Sequence, residues 1–312
     1  MVHMLVKKNV LIIKLGYSET FVSHVRMTCS LGDVLRTTSL LHLFKEDDVT
    51  WLTGAAAVPL LNGNPYIDRI LKYTPDNVRQ LETEQFDTVV NLEKVPDVCE
   101  LAGSIDAVNW CGFFSDPATG KPTASEHAYD ALIVTMHHEA KQANVRSWSD
   151  LLFSMLGEEW RGEGTVLGYK PGTEISHDVG FNTNVGSLFP VKAWPDGHWA
   201  ELEKLIGDRY TVSYQQCLDD LYGYMDWINS CRALVTNDSL GLHLALALDK
   251  KVIGMFGPTP ATELDPNDNL KVIVSPADDD CMPCCSSECA TGDPCMQYIT
   301  PDMVFRVLEE ML

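Results

Sequence analysis

The chain has 312 residues, of which 45% are hydrophobic and 21% charged, and its formal net charge is −21 at pH 7. This composition is typical of a globular protein, and the length favours two domains of about 150 residues. The acidic excess argues against nucleic-acid binding and tight docking on anionic lipid, since both need clustered lysine and arginine. We see no signal-peptide character and no stretch approaching the roughly 20 apolar residues of a membrane span. We therefore expect a cytoplasmic protein with at most peripheral membrane association.

Strand and helix patterns alternate through the first half of the chain. An apolar run of strand length lies at 9–15, further strands are predicted at 48–52, 68–73 and 86–91, and helices are predicted between them at 34–44, 55–61 and 78–83. Residues 115–126 are rich in turn residues and predict a loop, and residues 129–156 are mainly helical. The alternation favours a parallel sheet covered by helices, with 9–15 as its central strand.

A glycine-containing stretch with little apolar periodicity separates the two halves. We therefore predict a linker at 161–178 between domains at 1–160 and 179–299. The alternation restarts after the linker, with strands at 179–182, 210–214, 251–255 and one ending at 236, and helices at 198–206, 218–230 and 239–248. The chain ends in a predicted helix, 300–312, which is free to pack back on the first domain. Thr300 and Pro301 suit the start of that helix.

The most informative stretch runs from 235 to 259. It predicts a strand, a polar turn, a helix, a second strand and a Gly-Pro turn, which together form a βαβ unit. Asp238 and Ser239 are favourable N-cap residues for the helix, and Gly241 leaves room for a ligand at its first turn. Unpaired N–H groups at such a helix start favour an anion such as phosphate, although polar turns of this kind also occur without a ligand. From the residues alone, both interpretations stay open.

This stretch resembles the donor-site signature of the ADP-heptose:lipopolysaccharide heptosyltransferases, glycosyltransferase family nine. The family pattern is Asp-Thr-Gly-x-x-His before the helix, followed after the next strand by an aromatic-Gly-Pro-Thr turn, which matches 256–259 here. In this chain serine replaces the threonine, leucine replaces the glycine, and a glycine comes one place later. The resemblance implies that the donor-binding residues of this stretch are Asp238, Ser239, Leu240, Gly241 and His243.

The start of the chain resembles the same family. Residues 30–33, Ser-Leu-Gly-Asp, match a Ser-x-Gly-Asp motif that follows the first strand in these enzymes, and Asp33 takes the place of the proposed catalytic base. Residues 61–68 resemble an Asn-Pro-x-Ile-Asp segment of the family. This chain carries inserted residues at 16–29, which either reshape the acceptor pocket or form a surface excursion. Without the resemblance, Asp33 would be interpreted as an ordinary helix N-cap.

Two positions after the first strand of the second domain extend the match. Thr183 and Lys192 fall where the family contacts the donor diphosphate, whereas the residues alone would make Lys192 a solvated surface lysine. The resemblance implies an α/β fold of GT-B type, with two Rossmann-like domains facing a central cleft. It also implies an inverting glycosyltransferase with an ADP-sugar donor, a glycan or glycolipid acceptor and no cofactor required for catalysis. For an anionic acceptor, the candidates for a basic patch are Arg26, Arg36 and Lys121.

The chain has ten cysteines, and five of them crowd into residues 281–295, called the cysteine segment below. Their short spacing offers enough thiolate ligands for a structural zinc or iron site, although it is not the paired pattern of a zinc ribbon. The alternative is a reduced, loop-borne group without metal. A metal at this place would fasten the loop and take no part in catalysis. The candidate ligands are Cys281, Cys284, Cys285, Cys289 and Cys295.

Two other functional classes stay open. One is a nucleotide-sugar epimerase or hydrolase on the same two-domain scaffold, which would need no acceptor. The other is a non-enzymatic metal-binding or sensing protein built on the cysteine segment, which predicts bound metal and no nucleotide affinity. The chain contains neither a Gly-x-Gly-x-x-Gly loop nor a P-loop, which disfavours a dinucleotide oxidoreductase or a P-loop enzyme.

Overall fold

The computed structural model describes residues 7–17, 28–116, 118–217, 219–277 and 281–312. The chain divides into two compact units. The first unit comprises Met1–Lys141 and Arg146–Tyr169, and the second comprises Gln142–Val145 and Lys170–Leu312. Most of the inserted segment at 16–29, including Arg26, lies outside the described residues. Within the ranges given above, no helix has the length and apolar character needed to cross a membrane.

The first unit is built on a six-stranded sheet. Its strands are β1 (Asn9–Ile13), β2 (Asp48–Thr53), β3 (Arg69–Lys72), β4 (Gln85–Asn91), β5 (Asp106–Ser115) and β6 (Pro122–Ala124). Their order is β3-β2-β1-β4-β5-β6, and all neighbours are parallel except β5 and β6. Alternate residues of β1 enter two different hydrophobic cores, which shows that both faces of this central strand are covered. The predicted loop at 115–126 contains the short strand β6.

Seven helices follow or separate these strands in the described part of the first half of the chain. They are α1 (Leu31–Thr37), α2 (Val58–Leu61), α3 (Pro75–Leu81), α4 (Pro96–Ser104), α5 (Tyr129–Met136), α6 (His138–Ala143) and α7 (Trp148–Met155). The helix α4 was not predicted from the sequence. Short 3₁₀ helices lie at Thr38–Phe44, Ala55–Ala57 and Glu126–Ala128.

The predicted helix at 34–44 is two elements in the structure, because α1 gives way to the 3₁₀ helix Thr38–Phe44. The Thr37 hydroxyl donates to the Asp33 carbonyl at 2.7 Å, and the Thr38 hydroxyl donates to the Leu35 carbonyl at 2.6 Å. Hydroxyls that bond to the preceding turn compete with the helical ladder, and short 3₁₀ stretches are common at helix ends. The helix also begins earlier than predicted, at Leu31.

The second unit is built on a five-stranded, wholly parallel sheet. Its strands are β7 (His177–Asn182), β8 (Val212–Tyr214), β9 (Cys231–Asn237), β10 (Lys251–Phe256) and β11 (Leu270–Val274). Their order is β11-β10-β9-β7-β8. The α-helices are α8 (Asp196–Ile206), α9 (Leu221–Ser230), α10 (Leu240–Ala247) and α11 (Pro301–Met311). The edge strand β11 was not predicted.

The final helix α11 belongs to the second unit, where it packs against α8. Val304 and Leu308 are fully buried in the same core as Trp199. The Thr300 hydroxyl accepts from the Met303 N–H at 3.4 Å, as its N-cap position predicts. The apolar face of the helix is thus used within its own unit, and its packing on the first domain stays a prediction. The segment 142–145, predicted in the first domain, also belongs to the second unit.

Each sheet has a point where the strand order reverses. In the first unit the chain passes from β1 outward to β2 and β3 and then returns to place β4 on the other side of β1. In the second unit, β8 lies on one side of β7 and β9 on the other. In open α/β sheets ligands bind at the carboxyl ends of the strands beside such a reversal. The places to search are therefore the ends of β1 and β4 and the ends of β7 and β9.

Candidate functional site

The residues predicted to bind a donor lie at the carboxyl edge of the second sheet. Strand β7 ends at Asn182, so Thr183 leaves the sheet beside the reversal point. Strand β9 ends at Asn237 and is followed directly by Asp238. The neighbouring strand β10 leads into the turn at 257–259. Parallel pairing of these three strands brings the polar turns to one edge of the sheet.

Three side chains meet at this edge and are called the Asp238 cluster: Asp238, Lys192 and Thr259. The Lys192 Nζ lies 2.6 Å from Asp238 Oδ2, and the Thr259 hydroxyl donates to the same oxygen at 2.7 Å. The side chains of Lys192 and Asp238 are only 18% and 14% exposed. Lys192, which ends the 3₁₀ helix Pro190–Lys192, also lies over the ring of Phe189, with its Nζ 5.1 Å from the centroid. Lys192 is therefore not the solvated surface lysine that its residue type alone suggested.

The Asp238 carboxylate is strongly stabilised in its ionised form. Burial alone would raise its pKa, but the charges of Lys192 and His243 and the hydrogen bonds from Lys192 and Thr259 outweigh burial and lower the pKa to about 2. Asp238 is consequently an anion across the physiological pH range. It holds the Lys192 ammonium in a fixed place at the sheet edge.

The fully buried Asn237 ties together the loops that surround the cluster. Its Oδ1 accepts from the Trp194 N–H at 2.9 Å, and its Nδ2 donates to the Thr183 carbonyl at 2.9 Å. Trp194 follows Lys192 by two residues, and its indole N–H donates to the Ile299 carbonyl at 2.7 Å. One side chain at the end of β9 thus fixes both the turn after β7 and the segment that carries Lys192.

The start of α10 is held by a second buried asparagine. Asn182 Nδ2 donates to the Thr236 hydroxyl at 2.7 Å and to the Ser239 hydroxyl at 2.8 Å. Its Oδ1 accepts from the Tyr224 hydroxyl at 2.5 Å. Ser239 is the N-cap residue as predicted, but its side chain makes no capping hydrogen bond, and the Asp238 carboxylate is engaged by Lys192. The hydroxyl of Ser239 is oriented by Asn182 instead.

Close packing requires a glycine at position 241, which the sequence alone did not indicate. A Cβ atom at this position would lie 2.4 Å from Asn182 Nδ2 and 2.4 Å from the Tyr224 hydroxyl oxygen. The absence of a side chain therefore lets α10 approach these two polar groups. Leu240 is half-buried as the first residue of α10. His243 is also half-buried, and its charge acts on Asp238.

The first unit carries buried charges at its own reversal point. Glu93, just beyond β4, accepts on Oε1 from the N–H groups of Leu15 and Gly16 at 2.8 and 2.9 Å. The Nζ of Lys14 lies 3.5 Å from the same oxygen, and both side chains are almost completely buried. The Gly16 carbonyl in turn accepts from the Ser30 N–H. These contacts fix the backbone on both sides of the inserted segment and hence the start of α1.

Asp33 lies in the first turn of α1. The N-cap is Ser30, so the interpretation of Asp33 as a plain N-cap is wrong. Asp33 Oδ1 lies 2.8 Å from Nη2 of Arg36. The Arg36 guanidinium also lies over the ring of Trp148, 4.5 Å from its centroid. Of the other candidates for a basic patch, Lys121 is exposed.

The cysteine segment packs against the turn that carries Thr259. The Cys285 N–H donates to the Pro258 carbonyl at 2.7 Å, and a Cβ atom on Gly257 would lie 2.6 Å from Cys295 Sγ. An open pocket of about 450 Å³ lies between residues 190–195 and 287–297. The cysteine segment therefore supports one side of the candidate site.

The thiols of this segment are close enough to influence each other. Burial raises the pKa of Cys295 to about 11, and the charges of Cys284, Cys281 and Cys289 add to this effect. In the parts of the chain that the structure describes, however, no three histidine, cysteine or acidic side chains converge as metal ligands would. The arrangement does not by itself form a closed metal site, and a structural metal here stays a prediction.

Sequence reasoning missed the buried polar groups that support the candidate residues. Asn182, Asn237 and Glu93 carry no family signal that we used, and each lies at or just beyond the end of a strand. A polar residue at the end of an otherwise apolar strand can be recognised in a sequence and indicates a buried polar contact, because a buried polar group requires partners. Their partners come from other strands and loops, so the contacts themselves could not be predicted from spacing.

Known proteins resemble this chain in both sequence and fold. A family model described as glycosyltransferase family 9 (heptosyltransferase) matches residues 220–293, which contain α10 and the polar turns on both sides of it. The lipooligosaccharide heptosyltransferase 2 of Haemophilus influenzae is 26% identical over 180 residues, which is 48% of this chain and 48% of that protein. The chain is therefore similar to glycosyltransferase family 9 over part of its length. It spans about half the length of the curated relatives it matches.

In fold, the likeness extends over nearly the whole chain. The glycosyl transferase family 9 structure from Veillonella parvula matches 99% of this chain and 98% of its own length, with a TM-score of 0.69 and 18% identity. E. coli heptosyltransferase WaaC with ADP matches 97% of this chain and 100% of its own length, with a TM-score of 0.64 and 16% identity. The expected α/β fold of GT-B type is confirmed.

Proposed function

We propose that the protein is an inverting glycosyltransferase that moves a heptose, or a similar sugar, from an ADP-sugar to a glycan or glycolipid acceptor. The observation that carries the proposal is the Asp238 cluster, in which a lysine is held at the carboxyl edge of the second sheet beside the start of α10. The match of residues 220–293 to the family 9 model supports it, and the curated relatives are named lipooligosaccharide or lipopolysaccharide heptosyltransferase 2.

The second unit would bind the donor. Lys192 supplies a positive charge for the diphosphate, and Thr183 and Ser239 supply polar groups beside it. The N–H groups of Leu240 and Gly241 at the start of α10 add partial positive charge. Such preorganised donors stabilise the charge that develops on the leaving diphosphate.

Asp238 and His243 complete this donor set. The anionic Asp238 orients Lys192 and can accept a hydrogen bond from a hydroxyl of the sugar nucleotide. His243 lies close enough for its charge to act on Asp238. The scheme requires no metal or other cofactor, and a metal at the cysteine segment would act by holding the turn that carries Thr259.

The first unit would supply the general base. Asp33 takes the proton of the acceptor hydroxyl while the acceptor oxygen forms a bond to the anomeric carbon. At the same time the bond from that carbon to the diphosphate oxygen breaks, and ADP leaves with its electron pair. Attack opposite the leaving group inverts the configuration at the anomeric carbon. The net charge of −21 disfavours docking on anionic lipid, so the proposal includes at most peripheral contact with membranes.

The test is a transfer assay with ADP-heptose and a truncated lipooligosaccharide acceptor. We expect ADP release that depends on both substrates and a product of inverted anomeric configuration by NMR. Asp33→Asn should lower kcat by about 100-fold or more, because a general base contributes about 10²–10⁴-fold. Release of ADP without an acceptor, at the same rate in Asp33→Asn, would instead indicate a hydrolase and contradict the proposal.

A further inference from the structure

An arginine lies directly against Asp33 and is itself held in place. Arg36 is three residues after Asp33 on α1, and its Nη2 lies 2.8 Å from Asp33 Oδ1. The two side chains are only 15% and 21% exposed, respectively. Ion pairs of this spacing on an open helix surface contribute little, because water screens them and the side chains are mobile. The covered position of this pair makes the interaction both stronger and more restrictive.

A tryptophan from another helix completes the arrangement. The Arg36 guanidinium lies over the ring of Trp148, 4.5 Å from its centroid, and Trp148 is 93% buried at the start of α7. The hydroxyls of Ser39 and Ser149 are 2.9 Å apart, which ties the continuation of α1 to the same helix. Arg36 is therefore packed on one side by an aromatic face and bonded on the other by Asp33. A guanidinium stacked in this way loses most of its rotational freedom.

We propose that Arg36 is a positioning residue for the sugar transfer: packed on Trp148, it fixes one carboxylate oxygen of Asp33 and keeps this group ionised. The inference rests on the proposed function, in which Asp33 takes the acceptor proton. Arg36 makes proton uptake by Asp33 less favourable and so does not make Asp33 a stronger base. Arg36 contributes by orienting the Asp33 carboxylate and by keeping it ionised. The sequence indicated Arg36 only as a candidate for a basic patch that would bind an anionic acceptor.

The described ionisable groups around Asp33 include Cys29, Glu93 and Lys14, since the charges of Asp33, Glu93 and Lys14 all act on the Cys29 thiol. Burial raises the pKa of the neighbouring Cys29 thiol to about 11, so this group stays neutral over an assay range of pH 5 to 9. The helix α2 and the 3₁₀ helix Ala55–Ala57, which pack against α1, contain no ionisable side chain. The remaining ionisable groups on the described elements packed against α1 are His42, which bonds to the Gly164 carbonyl, and Asp150, which pairs with Arg146.

The test compares Arg36→Met and Arg36→Lys with a matched control, Arg146→Met. Arg146 forms a partly exposed ion pair with Asp150 of α7, so its loss removes an ion pair of similar sequence spacing that does not include Asp33. For Arg36→Met we expect kcat to fall about 10- to 100-fold, because the base is no longer held in place. The KM for the donor should stay within about twofold, since the donor site lies in the second unit.

The pH dependence separates positioning from a general loss of structure. Without the guanidinium, Asp33 is protonated more easily, so the acid limb of kcat/KM should move to higher pH in Arg36→Met. Arg36→Lys keeps the charge and should keep the limb near its wild-type place, with an intermediate kcat. Arg146→Met should match the wild type in kcat and in the position of the acid limb. A wild-type kcat and acid limb in Arg36→Met would overturn the proposal.

A second readout does not require catalysis. Carboxyl ¹³C NMR, assigned by comparison with Asp33→Asn, gives the pH midpoint at which Asp33 titrates. The midpoint should rise in Arg36→Met and not in Arg146→Met, and an unchanged midpoint overturns the proposal even if activity falls. If the wild-type protein transfers no sugar, the proposed function fails, and the catalytic role of Arg36 fails with it whatever the NMR result.

Discussion

Replacing Lys192 with methionine tests the Asp238 cluster most sharply. The substitution keeps most of the side-chain volume but leaves Asp238 as a largely covered carboxylate without its cation. In the structure the Lys192 Nζ lies 2.6 Å from Asp238 Oδ2, and the Asp238 side chain is 14% exposed. Removing one partner of a covered pair is costly, because the other charge stays desolvated and uncompensated.

The size of the effect follows from the pKa of Asp238, which is lowered from its ordinary 3.8 to about 2. A shift of this size corresponds to about 2–3 kcal/mol of stabilisation of the carboxylate. Part of it comes from Thr259 and His243, so we expect Lys192→Met to lose about 1–2 kcal/mol. For a unit of about 150 residues this lowers Tm by about 2–8 °C.

The sign of the pH dependence also follows. Because the pKa of Asp238 is lower in the folded protein, its stabilising contribution is complete above the ordinary value and is lost as the pH falls through about 2. The difference in Tm between wild type and Lys192→Met should therefore be constant between pH 5 and 8. It should shrink when the pH falls below about 4.

The assay is thermal unfolding of the wild type, Lys192→Met, Asp238→Asn and the double variant Lys192→Met/Asp238→Asn. Because the two single substitutions remove the same interaction, the double variant should lose less Tm than the sum of the two single losses. Lys204→Met, at an exposed position in the same unit, is the control and should change Tm by less than about 2 °C. A Lys192→Met variant as stable as the wild type, or single losses that add up fully in the double variant, would refute the reasoning.

Three further outcomes are expected. Gly241→Ala should lower Tm through a loss of about 1–3 kcal/mol, because its Cβ would lie 2.4 Å from atoms of Asn182 and Tyr224, and an unchanged Tm would contradict this packing. Asn237→Ala should weaken ADP binding about tenfold by releasing the loops around the cluster, and calorimetry showing wild-type affinity would count against that role. If the cysteine segment holds a structural metal, protein purified without chelators should contain about one zinc or iron per chain by elemental analysis and lose it in Cys284→Ser, whereas metal-free wild type would leave the reduced, metal-free loop.

Much of the fold could be predicted from local pattern. Strand β1 is an almost continuous apolar run, and such runs are typical of strands buried on both faces of a parallel sheet. The helix α11 was predicted from Thr300 and Pro301, whose roles at a helix start are local. Strand β11 was missed because it is a half-exposed edge strand in which only Ile273 is well buried.

The candidate site was predictable only in part. The sequence singled out Asp238 and Lys192 through a resemblance, yet 46 residues separate them, and no spacing rule indicates that they form an ion pair. The roles of Asn182 and Asn237 depend on strand order, because each bonds to groups that the sheet brings from a distant part of the chain. Tertiary contacts of this kind become visible only when the register of the strands is known.

The most direct test of the account is whether the second unit binds the nucleotide part of the donor. The measurement is calorimetric titration of the purified protein with ADP and then with ADP-heptose, repeated on Lys192→Ala and Asp33→Ala. The account predicts that both ligands bind, that Lys192→Ala weakens them about tenfold or more, and that Asp33→Ala leaves them unchanged. If neither ligand binds the wild-type protein at millimolar concentration, the edge formed by β7, β9 and β10 is not an ADP-sugar site, and the central claim is wrong.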